Sequence, residues 1–207
     1  MKLRVEILPK PQREIYPHLK AIKDLDFTLF GGTAIALQLG HRESIDFDFF
    51  TDKNISQLHQ RLLNLKNIKV DEITQQMDNS LSFKTINNVK FSFFGNIEFV
   101  KLAGKIQSDD GILQLADLKS LLITKLKATC DRAEYKDYKD IAEILKTKCA
   151  SLEEGLCGVR QYFGDKFPLL QVLKGLAYFN DGDLYRLSND DKAILLNAIK
   201  NIDMGQL

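Results

Sequence analysis

Asp46 and Asp48 stand two residues apart in the run Ser44-Ile-Asp-Phe-Asp-Phe-Phe50. Side chains at i and i+2 of a strand share a face, so both carboxylates are expected to project together while Ile45, Phe47 and Phe49 turn to the core. Neighbouring carboxylates repel unless a cation lies between them, and Mg²⁺, a hard oxygen-seeking ion, suits that place. Upstream, Gly31-Gly32 follows the apolar run Phe27-Thr-Leu-Phe30. Glycine lets the backbone approach a phosphate, and the N-terminus of a following helix offers unbonded N–H groups to it. The Thr33 hydroxyl can add a contact. Moving a nucleotide out of a triphosphate needs this combination of amides on the phosphates and metal at the reacting oxygens. Each half also has a plainer reading, Gly-Gly as a simple turn and D-x-D as a solvated strand edge. Their joint occurrence with a helix between them argues for a site.

A second constellation lies in Asp117-LKSLLITKLKATCDRAEYKDYKD-Asp140. Lys125 and Arg132 are seven apart and share nearly one helical face, and Asp137 and Asp140, three apart, share a face of the next helix. One reading has Lys125 meeting a triphosphate while Arg132 and the acids lock the helix pair. The other has Arg132, Lys136, Asp137 and Asp140 as an ordinary solvated, ion-paired pair of helices.

These residues need elements to hold them. Periodicity predicts a helix over Gln12 to Asp24 interrupted at Pro17, a strand at Phe27–Phe30, a helix from Thr33 to Leu39 stopped by Gly40, and a strand from Ser44 to Phe50. A helix over Ile55 to Leu65 comes next. Strands are expected at Ile68–Val70, Leu81–Phe83 and Val89–Phe94, separated by Asp78-Asn79 and Asn87-Asn88. Asp117 reads as the N-cap of a helix to about Arg132, with another helix from about Asp137 to Lys148. Beyond it the chain reads as helical. Ser151-Leu-Glu-Glu154 is a strict capping box and Ser188-Asn-Asp-Asp191 a looser one. Residues 151–207 carry six Lys+Arg and eight Asp+Glu, against 23 and 20 in residues 1–150. That shift divides the chain into a domain at 1–150 and a C-terminal helical annex at 151–207.

The 207 residues hold 44% apolar and 28% charged side chains, with 29 Lys+Arg against 28 Asp+Glu. Such a chain can bury an ordinary core, and the near-zero net charge excludes a polybasic nucleic-acid binder. No run approaches the length needed to span a bilayer, and the N-terminus lacks a secretory apolar run, so a soluble cytoplasmic protein is expected. Cys130, Cys149 and Cys157 offer no C-x-x-C and read as buried small apolar groups. His18, His41 and His59 show no ligand spacing. Tyr162-Phe163, Phe167 and Tyr178-Phe179 read as core.

GGTAIALQLGHRESIDFDFF resembles the first motif of the AbiEii/AbiGii-type toxins, a branch of the nucleotidyltransferase superfamily with the DNA polymerase beta-like fold. KLKATCDRAEYKDYKDI is similar to that branch's later motif, K-x-x-A-x-x-x-R-x-x-x-[RK]-D-x-x-D, supplying Lys125, Ala128, Arg132, Lys136, Asp137 and Asp140. The resemblance covers about residues 25–150. It implies an α+β fold, a mixed sheet flanked by helices, with Asp46 and Asp48 as metal ligands and catalytic residues. It further implies that Gly31, Gly32, Thr33, Arg42, Ser44 and Lys125 bind the nucleotide, Lys125 also taking part in catalysis, with Arg132, Asp137 and Asp140 in support. Mg²⁺ or Mn²⁺ would be the cofactor and an NTP the substrate, with tRNA or a protein as acceptor, an antitoxin as partner and no membrane. One departure follows: many nucleotidyltransferases carry a third carboxylate on a later strand, and in the matching run Val89–Phe94 its place is taken by Ser92. Glu98, six residues on, could substitute if the chain turns back. The sequence therefore supports a transferase, a toxin-antitoxin or phage-defence effector, and alternatively a nucleotide- or partner-binding protein of the same fold with impaired chemistry.

Overall fold

The computed structural model describes residues 1–203. Two compact units divide the chain, Met1–Asp117 and Leu118–Leu207. The division falls between Asp117 and Leu118, not at the composition shift near 150, because helices on both sides of that shift pack on one another.

In the first unit, α1 (Lys10–Ile15) and α2 (Lys20–Lys23) flank a 3₁₀ turn at Tyr16–His18, the break expected at Pro17. Then come β1 (Thr28–Phe30), α3 (Gly31–Leu39), β2 (Asp46–Phe50) and α4 (His59–Leu63). β3 (Val70–Met77), β4 (Ser80–Thr85), β5 (Lys90–Phe94), β6 (Lys105–Gln107) and β7 (Gln114–Ala116) complete it. The strands form one mixed sheet in the order β3-β4-β5-β2-β1-β7-β6. β2 lies antiparallel to β1 and parallel to β5, which puts the D-x-D strand near the middle.

Alternation drives this arrangement. Phe47 and Phe49 on β2, Phe91 and Phe93 on β5 and Phe83 on β4 are all fully buried on one face. Their rings stack across the strands, Phe47 on Phe91 at 5.2 Å and Phe49 on Phe93 at 5.5 Å between centroids. Each buried Phe contributes roughly 1.5–3 kcal/mol, and a slip of one residue would turn the whole ladder to the other face. Ile45 does not join it. The strand opens at Asp46, Ile45 is 59% exposed, and its carbonyl accepts from Gln12 Nε2 at 2.9 Å, a bond outside the sheet.

The second unit is helical: α5 (Leu118–Asp131), α6 (Tyr135–Thr147), α7 (Leu152–Phe163), α8 (Leu169–Ala177) and α9 (Asn189–Lys200). α5 packs against α6, α7 and α8. The Ser151–Glu154 capping box forms in full, while at α9 Ser188 alone caps, accepting from the Asp191 N–H. The annex aromatics are only partly core, since Tyr178 is 52% exposed. The cysteines are not buried either: Cys149 and Cys157 are exposed and Cys130 intermediate. Among the described residues no helix is long and apolar enough to cross a membrane.

Candidate active site

β1 passes into α3 without an intervening residue, Phe30 ending the strand and Gly31 opening the helix. The glycine pair is thus the helix's first turn, not a connector before it. Gly31 has φ +72°, and a Cβ there would stand 2.6 Å from Asp48 Oδ2. A side chain at this position would meet both backbone strain and the carboxylate. A Cβ on Gly32 would stand 2.5 Å from Arg42 Nη2 and 3.0 Å from Ser44 Oγ. The bare glycine backbone therefore has a carboxylate against one residue and a guanidinium against the next. No side chain caps α3, and the first N–H groups of a helix have no partner within the helix itself.

The segment between the glycines and the acids is tied back to α3. Thr33, 1% exposed, donates its hydroxyl to the Asp46 carbonyl and hydrogen-bonds the Ser44 hydroxyl at 3.0 Å. Its side chain thus holds the start of β2 in place, a different task from the phosphate contact expected of it. Asp46 and Asp48 are half-buried and share a face. In register, Asp48 lies between Phe30 of β1 and Ser92 of β5, and Asp46 lies beside Lys90. Phe30, Phe50 and Phe94 form an aromatic patch along the same face, with Phe30–Phe50 and Phe50–Phe94 centroids 5.1 and 4.9 Å apart.

Among the described residues no group of three or more His, Cys, Asp and Glu could hold a metal ion. Asp46 and Asp48 are a donor set of two, which fits Mg²⁺: that ion is usually held by one or two carboxylates with substrate phosphates and water completing its shell. Ser92 is 4% exposed and pairs with Ser82 of β4. Glu98 is exposed in the 3₁₀ turn Glu98–Lys101, its carboxylate 2.9 Å from Lys101 Nζ.

In the second unit, Lys125 Nζ stands 2.7 Å from Asp137 Oδ1 and 2.8 Å from Asp140 Oδ2. Both acids are fully buried, and the lysine side chain is 8% exposed. Arg132 Nε donates to Asp137 Oδ2 at 2.7 Å, while Lys136 pairs with Glu134 at 2.9 Å. Burial pushes the Asp137 carboxyl up, but the Arg132 hydrogen bond and the Lys125 charge outweigh it and hold it below the usual range. The expected grouping of Lys125, Arg132, Asp137 and Asp140 is therefore present, and Lys125 itself lies inside the lock.

The neighbourhood of Lys90 and Lys84 with Asp46 is not legible in the sequence. Lys84 pairs with Lys90 across β4 and β5, which places both in one row with Asp46. The only sequence signal is that Lys90 precedes Ser92 by two.

A family model described as "Nucleotidyl transferase AbiEii toxin, Type IV TA system" matches residues 18–191. An uncharacterized protein of Aquifex aeolicus (strain VF5) is 29% identical over 178 residues, covering 84% of each chain. An antigenic nucleotidyltransferase-like protein from Paracoccidioides brasiliensis, known from its crystal structure, superposes with a TM-score of 0.51 at 17% identity, over 81% of this chain and 94% of that one. At that identity the likeness speaks for the fold.

Proposed function

Because the chain belongs to the AbiEii nucleotidyltransferase toxin family, we propose that it moves a nucleotidyl group from an NTP to a hydroxyl of an RNA or protein acceptor, as a toxin opposed by a partner antitoxin. The observation that carries this reading is the approach of Asp48 to the bare backbone of Gly31, at the uncapped N-terminus of α3. Carboxylates for a cation and amides for phosphate meet there in the space a side chain would fill. A divalent cation, Mg²⁺ or Mn²⁺, held by Asp46 and Asp48 would neutralise the triphosphate and the departing pyrophosphate.

The chain's own residues supply binding and aim. The α3 N–H groups and Arg42 hold phosphate oxygens, and Gly31 and Gly32 let them come close. Thr33 and Ser44 fix the start of β2 so that both acids keep one orientation. In the transfer, the acceptor oxygen bonds to the α-phosphorus, the bond to pyrophosphate breaks, and the hydroxyl proton passes to solvent. Ser92 is in register with Asp48, and on this reading it takes the place of the third carboxylate that would act as base. A positioned base contributes about 10²–10⁴-fold, so transfer is slow without one. Lys125 enters differently. Drawing its ammonium onto a phosphate would take it from two buried carboxylates that share it, so we assign it, with Arg132, Asp137 and Asp140, to fixing α5 against α6.

Ser92 also favours the second reading, a protein that binds nucleotide and transfers nothing. Purified protein incubated with each α-labelled NTP, Mg²⁺ and total tRNA or lysate separates the two. Label should enter a macromolecule with wild type, disappear with Asp46→Asn/Asp48→Asn, and enter faster with Ser92→Asp. NTP binding without transfer on any acceptor, from wild type and Ser92→Asp alike, would establish the binding protein instead.

A further inference from the structure

Resting on the reading above that Asp46 and Asp48 hold a divalent cation, the surroundings of Asp46 single out a residue from outside the sheet. β1 pairs with β2 from Phe50 back to Asp48, where Phe30 stands opposite, and its register goes no further. Asp46 opens β2 two residues earlier, with Lys90 of β5 as its register partner. Asp48 is therefore flanked by a strand on each side, and Asp46 by β5. Mg²⁺ demands near-ideal geometry of its ligands, so the end of the strand needs another hold.

Two side chains supply it. The direction a side chain takes follows from φ and ψ of its own residue, which turn the rigid peptide groups on either side. At Asp46 both groups are tied. The preceding one is held through the Ile45 carbonyl, which accepts from Gln12 Nε2 at 2.9 Å. The following one is held through the Asp46 carbonyl, which accepts from the Thr33 hydroxyl. Thr33 reaches from α3 and Gln12 from α1.

An anchor must itself be fixed, and Gln12 is. It is buried along with Leu8, Ile15 and Tyr16, and the Tyr16 hydroxyl donates to Asp110 Oδ2 at 2.8 Å. Packing alone would not choose glutamine here. Its Oε1 is buried without a hydrogen-bond partner among the described residues, a cost that a methionine of similar length would avoid. What the amide adds is a donor at the peptide group before Asp46. Gln12 also stands ahead of residues 18–191, the stretch that the family model matches.

We propose that Gln12 is a positioning residue of the cation site, holding the peptide group before Asp46 so that this carboxylate joins Asp48 on one ion.

The test titrates the full chain with Mn²⁺ and reads the free ion by electron paramagnetic resonance, which needs neither nucleotide nor transfer. Gln12→Met removes the donor and the orphaned oxygen together, and the carbonyl of exposed Ile45 can turn to water. Urea unfolding should therefore stay close to wild type while Mn²⁺ affinity falls about tenfold. Gln12→His, whose Nε2–H reaches about as far from the backbone, should recover most of that loss. Gln38→Met is the matched control. Gln38 is buried as well, and its Nε2 also ties a helix to the sheet, donating to the Ala116 carbonyl of β7 at 3.0 Å. Its loss should lower the urea midpoint and leave Mn²⁺ affinity unchanged. Unaltered Mn²⁺ affinity in Gln12→Met would overturn the proposal. So would equal losses in Gln12→Met and Gln38→Met, or a Gln12→His protein no better than Gln12→Met. Asp46→Asn separates the two readings. Mn²⁺ binding indifferent to it would overturn the cation site itself, whereas binding that depends on Asp46 and not on Gln12 would overturn the positioning role alone.

Discussion

Gly31 concentrates the site's demands in one residue, and a matched control exists within the chain. Gly111 has nearly the same left-handed backbone, φ +69° against +72°, but a Cβ there would meet nothing within 4 Å. Alanine at either position should cost more than about 1 kcal/mol through backbone strain. Only Gly31→Ala adds the collision with Asp48, so thermal unfolding should respond to both variants and NTP binding to Gly31→Ala alone. Lys125 gives the opposite pattern. Removing it leaves Asp137 and Asp140 buried without their shared cation, and Lys125→Ala should lose about 3–5 kcal/mol in urea unfolding. A direct triphosphate role would instead appear as lost NTP affinity at near-normal stability. At this scale much was legible: Gly-Gly, D-x-D and the K…R…D-x-x-D spacing are local patterns, and the structure groups each as its spacing implied. The role of Thr33 was not legible, because its partners are a backbone carbonyl and a serine whose positions depend on how β2 returns to α3.

Between elements, α7 lies on α5 through Gly155 and Gly158. A Cβ on Gly155 would come within 2.7 Å of Leu126 Cδ1, and one on Gly158 would collide with the Ile123 side chain. Small residues three apart let two helices approach closely, and added methyl groups force neighbours off their rotamers. Gly158→Val should therefore cost about 1–3 kcal/mol, seen as a lower urea midpoint, with recovery in Gly158→Val/Ile123→Ala. Elements with strong periodicity or caps were readable: α3 with its Gly40 stop, the Phe-rich strands β2 and β5, and the Ser151 capping box. β3 was read only at its first residue. All of β3 but Val70 is exposed, so nothing in Asp71-Glu-Ile-Thr-Gln-Gln-Met77 alternates as a half-buried strand does. β6 and β7, at three residues each, are too short for any period to register. Lys90 is a matter of pairing: its place beside Asp46 arises between strands far apart in sequence, which no local window contains.

Across the whole molecule, the depressed carboxyls are unevenly shared. Asp137, Glu143, Glu154, Asp183 and Asp191 in Leu118–Leu207 are all held below their ordinary values, and Asp110 is so held in Met1–Asp117. At Asp191 burial pushes upward, but hydrogen bonds from Lys146, Ser188 and Lys139 prevail and bring it to about 2. A carboxyl lowered on folding stabilises the native state above its unfolded value, about 3.9, and that stability is lost as pH falls through the folded value. Acidification from pH ~4 toward ~2 should therefore release amide protection in the helical unit before the sheet, as read by hydrogen exchange. Asp191→Asn should flatten that slope and lower stability at neutral pH. The sheet order has a different consequence. Asp48 takes its neighbours from Phe30 and Ser92, and β1 in turn is flanked by β7, which ends at Ala116. A ribosome must thus release the chain through that residue before the strand that leads into the glycine pair is paired on both sides. Until then a cell making this protein holds a nascent polypeptide in which the surroundings of Asp48 have not yet come into being.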